Sequence, residues 1–125
     1  LDVFLADPRF GAGSRTALEQ HGQRGALVVC EVVVSELVGC FPSAQTGLDA
    51  LAVIGITFQP IQLEAASRAG VAWKNYRARG GSRQRMLADF LVGAHAEKQC
   101  DALLTRDSGY FRTYFPEMTV LDPSA

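Results

Sequence analysis

The chain is poor in the features that would place it in a membrane or in a secreted scaffold. No apolar run approaches the roughly 18 residues a transmembrane helix needs, and the opening segment has no basic flank of the kind that starts a signal peptide. Cysteine is scarce: Cys30, Cys40 and Cys100 are odd in number and widely spaced, matching neither a disulfide framework nor a zinc site. They read as reduced, mostly buried thiols without a redox role, and the protein as soluble, cytoplasmic and without a membrane partner. The two histidines, His21 and His95, lie too far apart for a local metal or nucleophile motif. Ser35 and Thr105 have no nearby base to activate them. Strong net charge is absent too. A formal charge of −1 and a pI near 6.1 exert no global pull on nucleic acid, so such a partner has to be met by a local patch.

What is present is enough for a core. With 125 residues, 48% apolar and 20% charged, and no repeat, linker or low-complexity tract, the chain reads as one domain over 1–125. Leu1, Phe4 and Leu5 recur at helical spacing until Asp7-Pro8, and Ser14 suits the N-cap of a helix ending at Gly22. Ala26 to Cys30 is a short apolar run that fits a strand buried on both faces. Residues 31–38 are ambiguous between the β-propensity of Val32-Val33-Val34 and the helical spacing of Val33 and Leu37. A helix from about Val32 to Cys40 is expected, since Glu36 would interrupt an overlong strand. Pro42-Ser43 opens a helix ending near Gly55, and Ile56-Thr57-Phe58 is a strand stopped by Pro60. Leu63, Ala66, Gly70, Trp73 and Tyr76 mark a long helix closed by Gly80-Gly81. Ser82 is a candidate cap for the next helix, which carries Asp89. Ala102 to Thr105 is a strand, Gly109 to Phe115 a short aromatic helix or turn, and Met118 to Leu121 a last strand before Pro123. Short non-alternating strands between helices predict an α/β fold: a three-layer α/β/α domain around a central parallel sheet, with ligands at the carboxyl ends of its strands.

Three carboxylates have unusual settings. Glu36 lies among valines and leucine, Asp89 among Leu87, Phe90 and Leu91, and Asp107 follows the strand Leu103-Leu104-Thr105. A bare carboxylate on an apolar face costs several kcal/mol unless partnered, and a divalent cation is such a partner. Magnesium and manganese prefer oxygen ligands, and acids gathered at one strand edge would suit metal-assisted phosphodiester cleavage. Simpler roles compete: Glu36 as a solvated helix residue, Asp89 as a partner of Arg85 or of the positive end of its helix, and Asp107 as a turn residue. Gly93 shares a helix face with Asp89 and would let a substrate or a neighbouring strand approach. His95 falls on another face, where packing or the surface explains it.

Lys74, Arg77, Arg79, Arg83 and Arg85 form a stretch that contains no acid and leads to Asp89. This is a local phosphate footprint. Favourable interaction with a helix C-terminus accounts for Lys74 to Arg79, but poorly for Arg83 and Arg85, which become the candidate RNA contacts, Arg85 foremost. Trp73, Tyr76, Tyr110, Phe111, Tyr114 and Phe115 read as core or interface rather than stacking platforms, although Tyr110-Phe111 lies near Asp107, where substrate or a protein partner would pass.

The segments Val33-Val34-Ser35-Glu36-Leu37, Ala88-Asp89-Phe90-Leu91-Val92-Gly93-Ala94-His95-Ala96 and Leu103-Leu104-Thr105-Arg106-Asp107 with Tyr110-Phe111 resemble successive motifs of the PIN-domain family, in particular the VapC-like toxin ribonucleases of bacterial toxin-antitoxin pairs. The likeness runs through Phe115-Pro116 to Val120-Leu121-Asp122-Pro123. It implies a metal-dependent endoribonuclease with a parallel sheet between helices, a Mg2+ or Mn2+ cofactor held by Glu36, Asp89 and Asp107, an RNA substrate, a homodimer, and an antitoxin that blocks the site. The chain departs from the pattern in one respect: the family opens with a strand followed by Asp-Thr-Asn or Asp-Ser-Asn, and neither motif occurs here. Leu1-Asp2-Val3-Phe4-Leu5 resembles the helix that follows that strand, so Asp2 is not its substitute. The start at Leu1 favours an upstream first strand over a protein that has lost it. A catalytically silent PIN-like module that binds RNA or protein is the alternative. A phosphate-receiver domain is disfavoured, since no strand end presents paired acids and no suitably placed lysine follows.

Overall fold

The computed structural model describes residues 26–81, 86–105 and 107–122. The predicted helices before Gly22, and Ser82, Arg83 and Arg85, lie outside the described residues. The chain forms two compact units, the second spanning Pro60–Asp122.

In the first unit, β1 (Leu27–Val29) leads through Cys30 into α1 (Glu31–Val38), followed by α2 (Ala44–Ile54) and β2 (Ile56–Phe58). The ambiguous valine run is therefore helical, starting one residue earlier than expected. β1 and β2 pair in parallel with Leu27 opposite Ile56 and Val29 opposite Phe58, and the Gln59 N–H extends the ladder by donating to the Val29 carbonyl at 2.8 Å. Ser43 caps α2 reciprocally with Thr46: the Thr46 N–H donates to the Ser43 hydroxyl and the Ser43 N–H to the Thr46 hydroxyl, each at 3.2 Å. Gly55 ends α2 at φ 83°, a left-handed conformation that glycine adopts without a Cβ penalty. Cys30, Leu37 and Leu51 are buried in this unit.

The second unit comprises α3 (Leu63–Ala78), α4 (Leu87–Gln99), β3 (Ala102–Leu104), α5 (Ser108–Tyr114) and β4 (Thr119–Leu121). α3 buries Ala65, Ala69, Ala72 and Tyr76, a stripe at the i, i+4, i+7 spacing of one helix face. α3 ends as a Schellman motif, with the Gly81 N–H donating to the Tyr76 carbonyl at 3.0 Å, the Gly80 N–H to the Arg77 carbonyl at 3.1 Å, and Gly80 at φ 74°. α4 starts at Leu87, with Met86 rather than Ser82 as its N-cap. β3 and β4 pair in parallel, Ala102 opposite Thr119 and Leu104 opposite Leu121. The described strands thus form two parallel pairs, β1 with β2 and β3 with β4.

The core of the second unit is aromatic. Phe90 and Phe115 are wholly buried, and Tyr76, Tyr110 and Tyr114 pack around Phe90 with ring centroids 5.4–5.8 Å apart. Arg68 ties α3 to this core: its Nε meets the Glu97 Oε1 at 2.9 Å, its Nη2 donates to the Tyr114 carbonyl at 3.2 Å, and its guanidinium lies 5.0 Å from the centre of the Phe115 ring. Gln99 closes the start of the unit, donating from Nε2 to the Pro60 carbonyl and accepting from the Gln62 N–H.

Candidate functional site

Each predicted acid is positioned by a local device. Glu36 lies beyond the carboxyl end of β1, in α1, where the neighbouring Leu37 is buried but Glu36 itself is exposed. Its carboxylate makes no hydrogen bond or ion pair with a described residue, which is the arrangement of a solvated helix residue. Asp107 sits at the carboxyl end of β3. There the Thr105 N–H continues the ladder to the Leu121 carbonyl at 2.9 Å, and the Asp107 N–H donates to the Thr105 hydroxyl at 3.1 Å. That turn makes Asp107 the exposed N-cap of α5, without a side-chain capping bond.

Asp89 is half-buried beside the wholly buried Phe90. Its Oδ2 accepts the Met86 N–H at 3.0 Å, reaching back from the first turn of α4 to the residue that precedes the helix. Of the partners the sequence offers this carboxylate, a cation, Arg85 or the positive end of its helix, the described contact is the last. The structure supplies a backbone donor and the positive end of a helix for one oxygen, which offsets part of the desolvation cost. Oδ1 makes no hydrogen bond or ion pair with a described residue. The signal that would have found this role is the position of Asp89 three residues after Met86, the spacing of a first-turn acid that reaches back.

Carboxylate oxygens are the donors a hard divalent cation takes. Among the described residues, however, no three His, Cys, Asp or Glu side chains gather into a group that could hold a metal ion. Glu36 belongs to the first unit and Asp89 and Asp107 to the second. The candidate phosphate contacts Arg83 and Arg85 lie outside the described residues.

Other predicted roles change in the structure. Gly93 does not open a path for substrate: a Cβ there would overlap the Phe115 ring, so the small residue serves the packing of α4 against that aromatic side chain. Tyr110 and Phe111 are buried in the aromatic core, which removes their rings from contact with a substrate or a partner. His95 is buried, which selects packing over the surface among the two roles its helix face allowed, with Nδ1 3.9 Å from the Cys100 Sγ. The three free thiols are not mostly buried: Cys30 is buried, Cys100 half-buried and Cys40 exposed, because Cys40 follows the end of α1 instead of lying inside it. Among the described residues no helix is long and apolar enough to cross a membrane.

Helices alternating with short parallel strands define an α/β fold, the class expected from the sequence. Among solved structures, the chain is similar to a chain in the crystal structure of VapBC2 from Rickettsia felis bound to a DNA fragment from their promoter, with a TM-score of 0.67 and 14% identity over 89% of this chain and 85% of that one. At that identity the likeness shows the fold. No family model and no curated protein matches the chain.

Proposed function

We propose that this chain is the toxin component of a toxin-antitoxin pair, a metal-dependent endoribonuclease that hydrolyses RNA phosphodiester bonds and is blocked by a cognate antitoxin. The observation that carries the reading is the α/β fold shared with a chain of VapBC2 over 89% of this sequence. It supports the same assignment as the motif segments around Glu36, Asp89 and Asp107. In this proposal those three acids hold Mg2+ or Mn2+, and the bound ion supplies water activation and charge stabilisation at the leaving oxygen. Asp89 contributes the oxygen that its Met86 hydrogen bond leaves uncommitted. Arg83 and Arg85 bind RNA phosphates, and the protein acts in the cytoplasm as a homodimer.

The test is RNA cleavage by protein expressed from its whole reading frame, with Mg2+, with Mn2+ and with a chelator. Cleavage is expected only with metal, and Asp89→Asn, which keeps the acceptor for the Met86 N–H, abolishes it while leaving the helical circular dichroism unchanged. Metal-independent cleavage, or an inert protein on varied RNAs, overturns the proposal. Alanine at both Arg83 and Arg85 lowers the salt slope of RNA binding by about 0.7 per lost phosphate contact. The alternative reading is a catalytically silent module. That module binds RNA or the antitoxin without cleaving.

A further inference from the structure

One face of the C-terminal half of α3 carries an aromatic-cationic stripe that the metal chemistry does not use. The Arg77 guanidinium lies 4.7 Å from the centre of the Trp73 ring, one helical turn away. Trp73 is half-buried and packs against the aromatic core, whereas Arg77 is exposed. One face of the guanidinium thus rests on an indole that the core holds in place. Lys74, three residues before Arg77 on the same helix face, is exposed, and neither it nor Arg77 pairs with a carboxylate among the described residues. Gly70 lies on the same face as Trp73, Lys74 and Arg77. It is exposed, and a Cβ placed there meets nothing within 4 Å, so the ground next to the stacked pair is open. The acid of this helix, Glu64, is at its opposite end, 3.8 Å from Lys98.

The negative end of a helix accounts for cations in the last turn. It does not account for a guanidinium laid on an indole beside a further cation and open surface. Planar cations of this kind stack nucleobases, and their neighbours bind phosphates. We infer that the Trp73–Arg77 stack, with Lys74, is a binding site for single-stranded RNA, in which one base stacks on the outer face of Arg77 and a flanking phosphate contacts Lys74. The identity of the polymer rests on the ribonuclease reading. The site itself rests on the stacked geometry and the charge.

Trp73 is the chain's single tryptophan, so its fluorescence reports this site directly. The experiment titrates the full chain with a short end-labelled single-stranded oligoribonucleotide in EDTA, where metal-dependent cleavage is silent, reading Trp73 emission and the anisotropy of the label together. Both signals are expected to saturate in parallel. Arg77→Ala weakens binding about tenfold, the scale of one lost stacking contact. Arg77→Lys weakens it comparably but keeps the salt slope, because the charge remains and the plane is lost. Lys74→Ala lowers the salt slope by about 0.7 and retains the change in emission. Arg77 and Lys74 are exposed, and circular dichroism verifies that each variant stays folded. If anisotropy reports binding while Trp73 stays silent and Arg77→Lys matches the parent, this site is refuted and the ribonuclease reading stands. Equal binding of inorganic polyphosphate, with the same change in emission, also refutes it, since base stacking would then contribute nothing. No binding of the oligoribonucleotide at all overturns both.

Discussion

The same substitution, glycine to alanine inside a helix, should have opposite signs at two positions of the second unit. At Gly70 in α3 the new Cβ meets nothing within 4 Å, and the residue is exposed. Alanine there recovers helix propensity and stabilises by about 0.8–1 kcal/mol. At Gly93 in α4 the propensity gain is the same, but the Cβ overlaps the Phe115 ring. That ring is wholly buried, with Phe90 and Phe111 centroids each 6.5 Å away and the Arg68 guanidinium 5.0 Å from its centre, so it has no free side toward which to shift. Overpacking of this kind costs about 1–3 kcal/mol. The upper part of that range applies, because the obstacle is a whole ring and not the end of a flexible chain. Subtracting a propensity gain of about 1 kcal/mol leaves Gly93→Ala destabilised by about 1–2 kcal/mol, and the two variants separated by about 2–3 kcal/mol. Urea denaturation of the parent and both variants measures this as midpoints displaced in opposite directions at constant slope. Phe115→Leu should cost less in the Gly93→Ala background than alone, since the smaller side chain relieves the overlap it leaves. Equal stabilisation by both alanines would refute the close contact of α4 with Phe115.

Two further outcomes follow from specific contacts. Arg68→Ala strands the Glu97 carboxylate, whose side chain is only 9% exposed, and strips the guanidinium from Phe115; a loss of about 2–4 kcal/mol in denaturant unfolding is expected, with Glu97→Gln milder because the amide oxygen still accepts the Arg68 donor. Asp89→Ala removes the acceptor of the Met86 N–H and the first-turn charge of α4, lowering stability by about 0.5–2 kcal/mol, whereas Asp89→Asn loses less; equal stabilities for alanine and asparagine in the same melts would remove the capping role.

The elements were largely readable along the chain because their determinants are local. Ser43 with Thr46, the glycines after α2 and α3, and the four- and three-residue spacing of Ala65, Ala69, Ala72 and Tyr76 each act within a few residues, so the α/β order and most boundaries follow from them. The valines of α1 have strand propensity, but the helical spacing of Val33 and Leu37 points to the helix that is observed, with Leu37 buried. Local signals failed where two devices competed or where the partner is distant. Ser82 is the better cap by residue type, but the helix starts at Leu87 after Met86, to whose backbone the Asp89 carboxylate reaches back. A carboxylate in an apolar stretch signalled a site, but sequence has no register for depth: Asp89 proved half-buried, and Glu36 and Asp107 exposed. Gly93 announced a close approach without naming what approaches, and only the packed core identifies Phe115. The Arg68–Glu97 clamp and the Arg77–Trp73 stack were equally silent in the composition. Periodicity and capping are properties of neighbours on one chain, whereas burial, ion pairing between helices and the seat of a guanidinium on an indole depend on which faces meet and which rotamers the packing then permits.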